Sequence, residues 1–363
     1  MHNLTREDLS DILKQFWSIE EVPAPQHQIS PDDEKCENLF KDTHARNNLG
    51  RFVVRLPLII KPNCNINSIS RLALNSFMAL QRRFQRDPNF AREYYRFMRE
   101  YEELGHMLVV TGNELYCKRA WYLPHHAVEQ QGVNGNPHVC FTDSTTRVRD
   151  PVNGPKFRVV FDTSRRTAEQ CCLNHFLLAG PSLQSDLSLT LISWRQHQFV
   201  FTPDIVKMFR QIEVNRADQN LQRILWSPFR DQVPRDYCLT TVTYGIASAP
   251  FLAIRTLMQL ADDESQRFPF GAHCLRHQTY IDDIFSGADN IEDAIVVRDQ
   301  LIAILSSAGI TLDKWAANNS DLLPKDSVAA SVFNTNKTIT VDQAAKTLGL
   351  LWKPNLESFV FNF

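Results

Sequence analysis

The chain has 363 residues, of which 43% are hydrophobic and 22% charged, and its formal net charge is −2. That is enough apolar material for a large core, in two or three structural units or one elaborated domain. No global positive field advertises a nucleic-acid partner, so such a reading must rest on local patches; no apolar run reaches the roughly 18 residues of a membrane span.

Residues 4–20 read as a short amphipathic helix capped by Thr5, with Asp8 three residues on. This acidic start has no apolar signal-peptide core, so the chain is expected to be intracellular and not secreted. Residues 21–34 are rich in proline and acid and read as a linker, with Asp32-Asp33 as a turn or cap. "GRFVVRLPL" (50–58) is a strand closed by Pro57. Two basic helices follow. In residues 71–84 the apolar positions are Leu72, Phe77, Leu80 and Phe84. In residues 90–105 Phe90, Tyr94, Phe97, Tyr101 and Leu104 recur at helical spacing, and Gly105 is the stop. The stripe reads as core packing. The arginines on the other faces suit either solvent or a phosphate backbone.

Residues 106–117 read as a hairpin around Thr111-Gly112-Asn113. His125-His126 point to opposite faces of a strand and make a poor zinc pair. Residues 130–155 carry glycine and proline and predict a mobile loop. "KFRVVFD" (156–162) is a strand with Lys156 and Arg158 on one face. Residues 197–212 form a strand running into Asp204, then a helical turn. In residues 243–264 Ser248 is the N-cap and Pro250 lies just inside a helix. "TYIDDIFSG" (279–287) places two acids at a tight turn. Residues 289–309 form a helix capped by Asp289 or Asn290 and ended by Gly309. "TLGLLWKPNLESFVFNF" closes the chain as a hairpin. The eight cysteines include no C-x-x-C pair and read as reduced, mostly buried thiols. From Asp204 onward the order strand, helix, strand, strand, helix, strand is that of a split βαβ unit. It places the end of the Asp204 strand beside Asp282 and Asp283.

Two carboxylates at a turn repel, so one is protonated unless a cation sits there. An oxygen-only site suits Mg²⁺, held by one or two carboxylates and substrate phosphates. Two such ions about 4 Å apart can stabilise the attacking and leaving oxygens of an in-line phosphoryl displacement. A lone Asp-Asp pair more often marks a surface turn; Asp262-Asp263 reads that way. Other residues add weight. Phe209, five residues beyond Asp204, could stand under a nucleotide sugar and exclude a 2′-hydroxyl, though packing alone also explains it. Lys156 and Arg158 could grip β- and γ-phosphates. Gly245, after Tyr244, permits close backbone approach to a base pair. Lys314 could donate a proton or charge to pyrophosphate, or be a solvated lysine.

In order, "KFRVVFD", "FTPDIVKMFRQI", "TVTYGIASAPFLA", "TYIDDIFSGA", "GITLDKWA" and "LGLLW" resemble the blocks of reverse transcriptases. "YLPHHAV", "RILW", "GADNIEDAIVVRDQLIAIL" and the upstream "FWSIEE…CENLF…GRFVVRLPL" are similar to the polymerase segment of BEL/Pao-type LTR retrotransposon polyproteins in particular. The resemblance spans nearly the whole chain. It implies an α+β right-hand polymerase of fingers, ferredoxin-like palm and the start of a thumb. The implied organisation is 1–65 as an extension with a short helix, 66–330 as interleaved fingers and palm with a catalytic core at 197–318, and 331–363 as a primer-grip hairpin opening the thumb.

By the same resemblance Asp204, Asp282 and Asp283 are the catalytic carboxylates, and the Ile205 carbonyl helps them hold two Mg²⁺ (or Mn²⁺) ions. Phe209 is the sugar gate. Lys156, Arg158, Tyr244, Gly245 and Lys314 serve the dNTP, and Leu348 and Gly349 the primer grip. Tyr244 stands where retroviral enzymes carry glutamine. Most of the thumb, RNase H and integrase are expected to lie outside the chain. The implied activity is RNA-directed DNA synthesis, a nucleotidyl transfer from dNTPs to a primer on an RNA or DNA template. The partners are that template and primer, with other polyprotein segments and no membrane; the implied setting is a cytoplasmic virus-like particle. An RNA-synthesising polymerase is a nearer rival that Phe209 disfavours, and two further rivals stay open. One is a degenerate or domesticated nucleic-acid-binding remnant. The other is the aspartic protease of the same polyprotein, for which "FDTSRR" lacks the glycine of a retropepsin loop.

Overall fold

The structure, a computed structural model, describes residues 30–59, 66–117, 119–130, 156–229, 232–324, 345–347, 350–353 and 358–360. The helix expected at 4–20 lies outside them, as do Leu348, Gly349 and all of the loop expected at 130–155 except Gln130, which ends a strand.

Helix α1 (Pro31–Thr43) opens on a reciprocal cap: the Ser30 hydroxyl accepts from the Asp33 N–H, and the Asp33 carboxylate accepts from the Ser30 N–H. The linker expected over 21–34 therefore ends at Ser30, because Asp32 and Asp33 are first-turn acids of a helix. β1 (Ala45–Arg46) and β2 (Phe52–Val54) follow. The strand expected over 50–58 stops at Val54, since the Leu56 N–H goes to the Asp218 carboxylate and leaves the ladder.

Helices α2 (Ile66–Arg86) and α3 (Pro88–Glu103) pack together with most of the expected stripes inward: Phe77, Leu80 and Phe84 on α2, and Phe90, Tyr94, Phe97 and Tyr101 on α3; Leu72 is only partly buried, as is Leu104, which caps α3 from outside it. The hairpin expected over 106–117 does not form. β3 (Met107–Val109) instead pairs antiparallel with β9, residues Arg235–Leu239, and residues 112–116 close as a 3-10 turn. The chain does turn at Gly112, φ +61°, but the strand's partner lies far along the chain. β4 (His125–Gln130) and β5 (Lys156–Phe161) pair antiparallel, with Val128 opposite Arg158.

Then come α4 (Leu187–Arg195), β6 (Phe199–Ile205), β7 (Glu213–Val214), α5 (Arg216–Gln219) and β8 (Arg223–Trp226), which pairs with β9. α6 (Ala249–Glu264) starts after Ser248, whose side chain makes no capping bond. α7 (Pro269–His277), β10 (Thr279–Tyr280), β11 (Asp283–Ile284) and β12 (Ser286–Ala288) lead to α8 (Ile291–Ser307). The α8 cap is Asn290, which accepts from the Asp293 N–H. β13 (Leu312–Ala317) returns to the sheet. At the end, β15 (Leu350–Lys353) and β16 (Ser358–Val360) form the expected hairpin, and β14 (Ala345–Thr347) pairs antiparallel with β15 to extend it to a three-stranded meander.

One five-stranded antiparallel sheet positions the site. Its order is β13-β6-β11-β10, with β12 continuing β11 along β6. α6 and α8 are the two helices of the split βαβ order. β6 is therefore central, and it is buried from Val200 to Ile205. The main core runs from α1 to α8 and takes in Phe201 and Ile205 of β6. A smaller cluster of Trp194, Val200, Phe285, Ala316 and Trp352 ties β15 to the sheet.

Candidate active site

Asp204 sits near the end of β6 with only 6% of its surface exposed. A carboxylate buried on a central strand requires opposite charge. It has one in Lys314, whose ammonium donates to Asp204 Oδ2 at 2.7 Å. In the ladder Asp204 lies directly opposite Asp283 on one side and opposite Asp313 on the other. A register shift between Asp313 and Ala316 follows, and Lys314 takes a left-handed backbone there, with φ +51°.

Tyr280 pairs with Asp283, so Ile281 and Asp282 form a two-residue turn. Ile281 has φ +57°. A β-branched residue in that region costs about 1–3 kcal/mol and persists only where the surroundings enforce it. Two sets of bonds enforce it here. The Asp282 carbonyl accepts from the Ile205 N–H at 2.7 Å. The Gln184 side chain accepts from the Ile281 N–H at 3.0 Å and donates to the Thr279 carbonyl at 3.3 Å.

Past β6 the backbone turns sharply at Lys207, φ +50°, into a 3-10 turn over Met208–Gln211. Among the described residues four non-glycine positions have positive φ: Gln170, Lys207, Ile281 and Lys314. The last three lie within the strands and turns that frame Asp204. Concentrated strain of this kind marks a functional site more often than a structural one.

Between Val200 and Ile212, Phe209 is the one residue that is not buried. Its neighbours are held by charge. The half-exposed Glu100 of α3 forms ion pairs with the Lys207 ammonium and with Arg210 Nη2, the latter at 3.3 Å. Burial would raise the Glu100 pKa, but Arg210 and Lys207 outweigh it and hold the carboxyl below its usual range. Arg210 Nε donates to His106 Nδ1 at 2.8 Å, and its guanidinium lies 4.0 Å from the Tyr101 ring centroid. Burial first, then Arg210, Arg51 and Lys207, pushes the His106 pKa down to about 2. His106 is therefore a neutral acceptor.

A second group of expected residues gathers at the end of β5. Arg158 is half-buried on that strand; Lys156 opens it, and the Lys156 side chain is outside the described set. Tyr244 is buried with its ring 6.2 Å from Phe161. Gly245 is exposed, and its φ of +91° favours glycine. Asn174 fixes this loop: its Nδ2 donates to the Gly245 carbonyl at 2.9 Å, and its Oδ1 accepts from the Ala247 N–H at 2.9 Å. Tyr101 stands between the two groups, stacked under Arg210 and 5.5 Å from the Phe161 ring. Asp283 and Lys314 thus meet Asp204 directly, and Asp282 is held beside it by its carbonyl on the Ile205 N–H. Phe209 follows on the turn after the same strand; Tyr244 reaches them through Phe161 and Tyr101, with Gly245 next to it, and Arg158 lies three residues before Phe161 on the other face of β5. Sequence reasoning missed Glu100, Asn174, Gln184 and Asp313. Only Asp313, next to Lys314 in "LDK", carries a local signal.

The donor set at Asp204 is all oxygen, and an ammonium already occupies one carboxylate oxygen, so the position suits a hard cation. Among the described residues no three His, Cys, Asp or Glu side chains close into a metal cage. Substrate phosphates would have to supply the remaining ligands.

No protein-family model matches the chain, and no curated protein matches it. Among solved structures it is similar to the crystal structure of the native prototype foamy virus protease-reverse transcriptase, with a TM-score of 0.40 and 14% identity over 85% of this chain and 31% of that one. It is also similar to the foamy viral protease-reverse transcriptase in complex with double-stranded DNA, with a TM-score of 0.43 and 12% identity over 98% of this chain and 47% of that one. The chain spans less than half the length of either. Among the described residues no helix is long and apolar enough to cross a membrane.

Proposed function

We propose that the chain is the fingers and palm of an RNA-directed DNA polymerase of BEL/Pao retrotransposon type. The observation that carries the reading is the direct opposition of Asp204 and Asp283 across β6 and β11, at a strained turn whose second residue is Asp282. Three acids from two separate segments converge where apolar strands would otherwise pack, and the chemistry that needs such a convergence is divalent-cation phosphoryl transfer.

In this reading Asp204, Asp282, Asp283 and the Ile205 carbonyl hold the metal side of the site. Bound Mg²⁺ would supply positive charge for the triphosphate and acidity for the primer hydroxyl. The chain's own groups do the rest. Lys314 neutralises Asp204 and shares it when the substrate enters. Phe209, the lone apolar residue at the surface of its segment, lies against the sugar and leaves no room for a 2′-hydroxyl. Lys156 and Arg158 meet the phosphates, Gly245 lets backbone approach the base pair, and Leu348-Gly349 bears on the primer. The arginines of α2 and α3 contact the backbone of template and primer without reading bases.

Primer extension on an RNA template with Mg²⁺ and dNTPs tests the reading. Wild-type chain is expected to extend the primer, and Asp282→Asn and Asp283→Asn to lose about a hundredfold or more, as when a preorganised electrostatic group is removed. Extension that persists in both variants refutes it.

A further inference from the structure

Resting on the polymerase reading, the geometry points to Glu100 as a positioning residue that sets Phe209, and hence sugar selection, from a different part of the fold. Phe209 is flanked by two buried cations, Lys207 at 5% and Arg210 at 0% exposure. Both end on the one carboxylate of Glu100. Lys207 is also the residue that turns the chain, in a left-handed conformation a lysine does not adopt unaided. A carboxylate delivered from α3 thus anchors the residues two before and one after Phe209, and leaves Phe209 alone to emerge.

The other bonds of the segment converge on the same result. Gln211 Nε2 donates to the Val206 carbonyl at 2.7 Å, and the Arg210 N–H donates to the Lys207 carbonyl at 2.7 Å. Arg51 Nη2 and Nε donate to the Arg210 and Gln211 carbonyls at 2.9 and 3.1 Å. The Val206 N–H donates to the Thr311 carbonyl at 2.9 Å. These bonds fix the backbone of the turn. Glu100 is the carboxylate that pairs with both cations of the turn. Without that charge, burial favours moving Lys207 or Arg210 outward, and either movement displaces the ring between them.

The test combines kinetics with stability. Glu100→Gln keeps the size and removes the charge; Glu100→Asp keeps the charge. The expected result is a loss of deoxy- over ribonucleotide preference in Glu100→Gln of roughly tenfold, the scale of a small fault in pocket fit. The change appears in KM for ribonucleotides more than in kcat for dNTPs, and Glu100→Asp restores part of it. Separately, the unfolding effects of Glu100→Gln and Phe209→Ala are expected to be non-additive by about fivefold or more in the unfolding constant. Lys207→Met gives the same readings should Glu100→Gln not fold. Unchanged preference together with additive stabilities overturns the proposal. A wild-type chain that extends no primer refutes the polymerase reading itself, and the stability cycle, which needs no turnover, still decides whether Glu100 holds Phe209.

Discussion

Lowering the pH from 7 to 5 is expected to destabilise the fold through two buried histidines. His106 is 5% exposed and His125 is 3% exposed. His125 accepts from the Tyr94 hydroxyl at Nδ1, 2.6 Å, and donates from Nε2 to the Leu225 carbonyl, 2.9 Å. That arrangement fixes the neutral tautomer, and a second ring proton would face the Tyr94 hydroxyl. Burial pushes its pKa down to about 4, and that of His106 to about 2. Both folded values lie below the unfolded value of about 6.5, so between them the unfolded chain binds more protons and stability falls as pH falls. The full contribution is present above pH 6.5. At pH 5 each group has lost about 2 kcal/mol, at 1.4 kcal/mol per pH unit, or about 4 kcal/mol for the pair. That is a large share of an ordinary stability of about 5–15 kcal/mol. Glu100, whose folded pKa is lowered, keeps its contribution at pH 5 and loses it only at more acid pH. Urea unfolding at pH 7, 6 and 5 measures the slope. His106→Gln and His125→Gln retain an acceptor and should each remove about half of it. A stability that is flat from pH 6.5 to 5, or a slope unchanged in both variants, refutes the assignment of neutral buried imidazoles.

Lys314→Met removes the ammonium from Asp204 and should cost about 1–2 kcal/mol, since Lys314 keeps a third of its side chain in solvent. Thermal melts should then show Mg²⁺ stabilising this variant more than wild type; equal shifts would mean that no cation takes the lysine's place. Phe209→Val should admit ribonucleotides by roughly tenfold or more, read as the ratio of CTP to dCTP incorporation; an unchanged ratio removes Phe209 from the gate. Asp218→Asn should cost about 3 kcal/mol. Its buried carboxylate takes Arg55 Nε and Nη2 at 2.5 and 3.0 Å and the Leu56 N–H at 3.0 Å. Denaturant titration measures this, and a cost below 1 kcal/mol would contradict the bonding described.

The parts of this arrangement that sequence could reach are those written in local pattern. The α3 stripe is periodic, and Phe90, Tyr94, Phe97 and Tyr101 are buried as the spacing predicts. The juxtaposition of Asp204 with the 282–283 turn follows from element order alone, because a split βαβ sheet has few ways to place its strands. Where local pattern and long-range pairing disagree, the reading fails. "TGN" at 111–113 is good turn chemistry, yet β3 finds its partner in β9. The short helices α4 and α7 were not anticipated; α7 runs through Gly271 and two histidines, and α4 carries exposed Leu189 and Ile192 beside its buried face. Glu100, Asn174 and Gln184 were invisible for another reason. Each works through one or two side-chain bonds to backbone or charge far along the chain, and no periodicity records that.

Glu100 and the packing stripe of α3 form one device. Tyr101 is buried and stacks on the Arg210 guanidinium, while Glu100, one position back and about 100° around the helix, lies at the edge of the buried face. The same packing that seats Phe90, Tyr94 and Phe97 in the core therefore sets the height and rotation at which the carboxylate meets Lys207. A left-handed lysine, two buried cations and a left-handed isoleucine are each unfavourable in isolation. They coexist because strand β6, the α3 stripe and the Gln184 brace reach the site from three directions. Strain held from several sides cannot relax through one local movement. The rigidity that results is what a site needs if an aromatic ring is to discriminate a hydroxyl from a hydrogen.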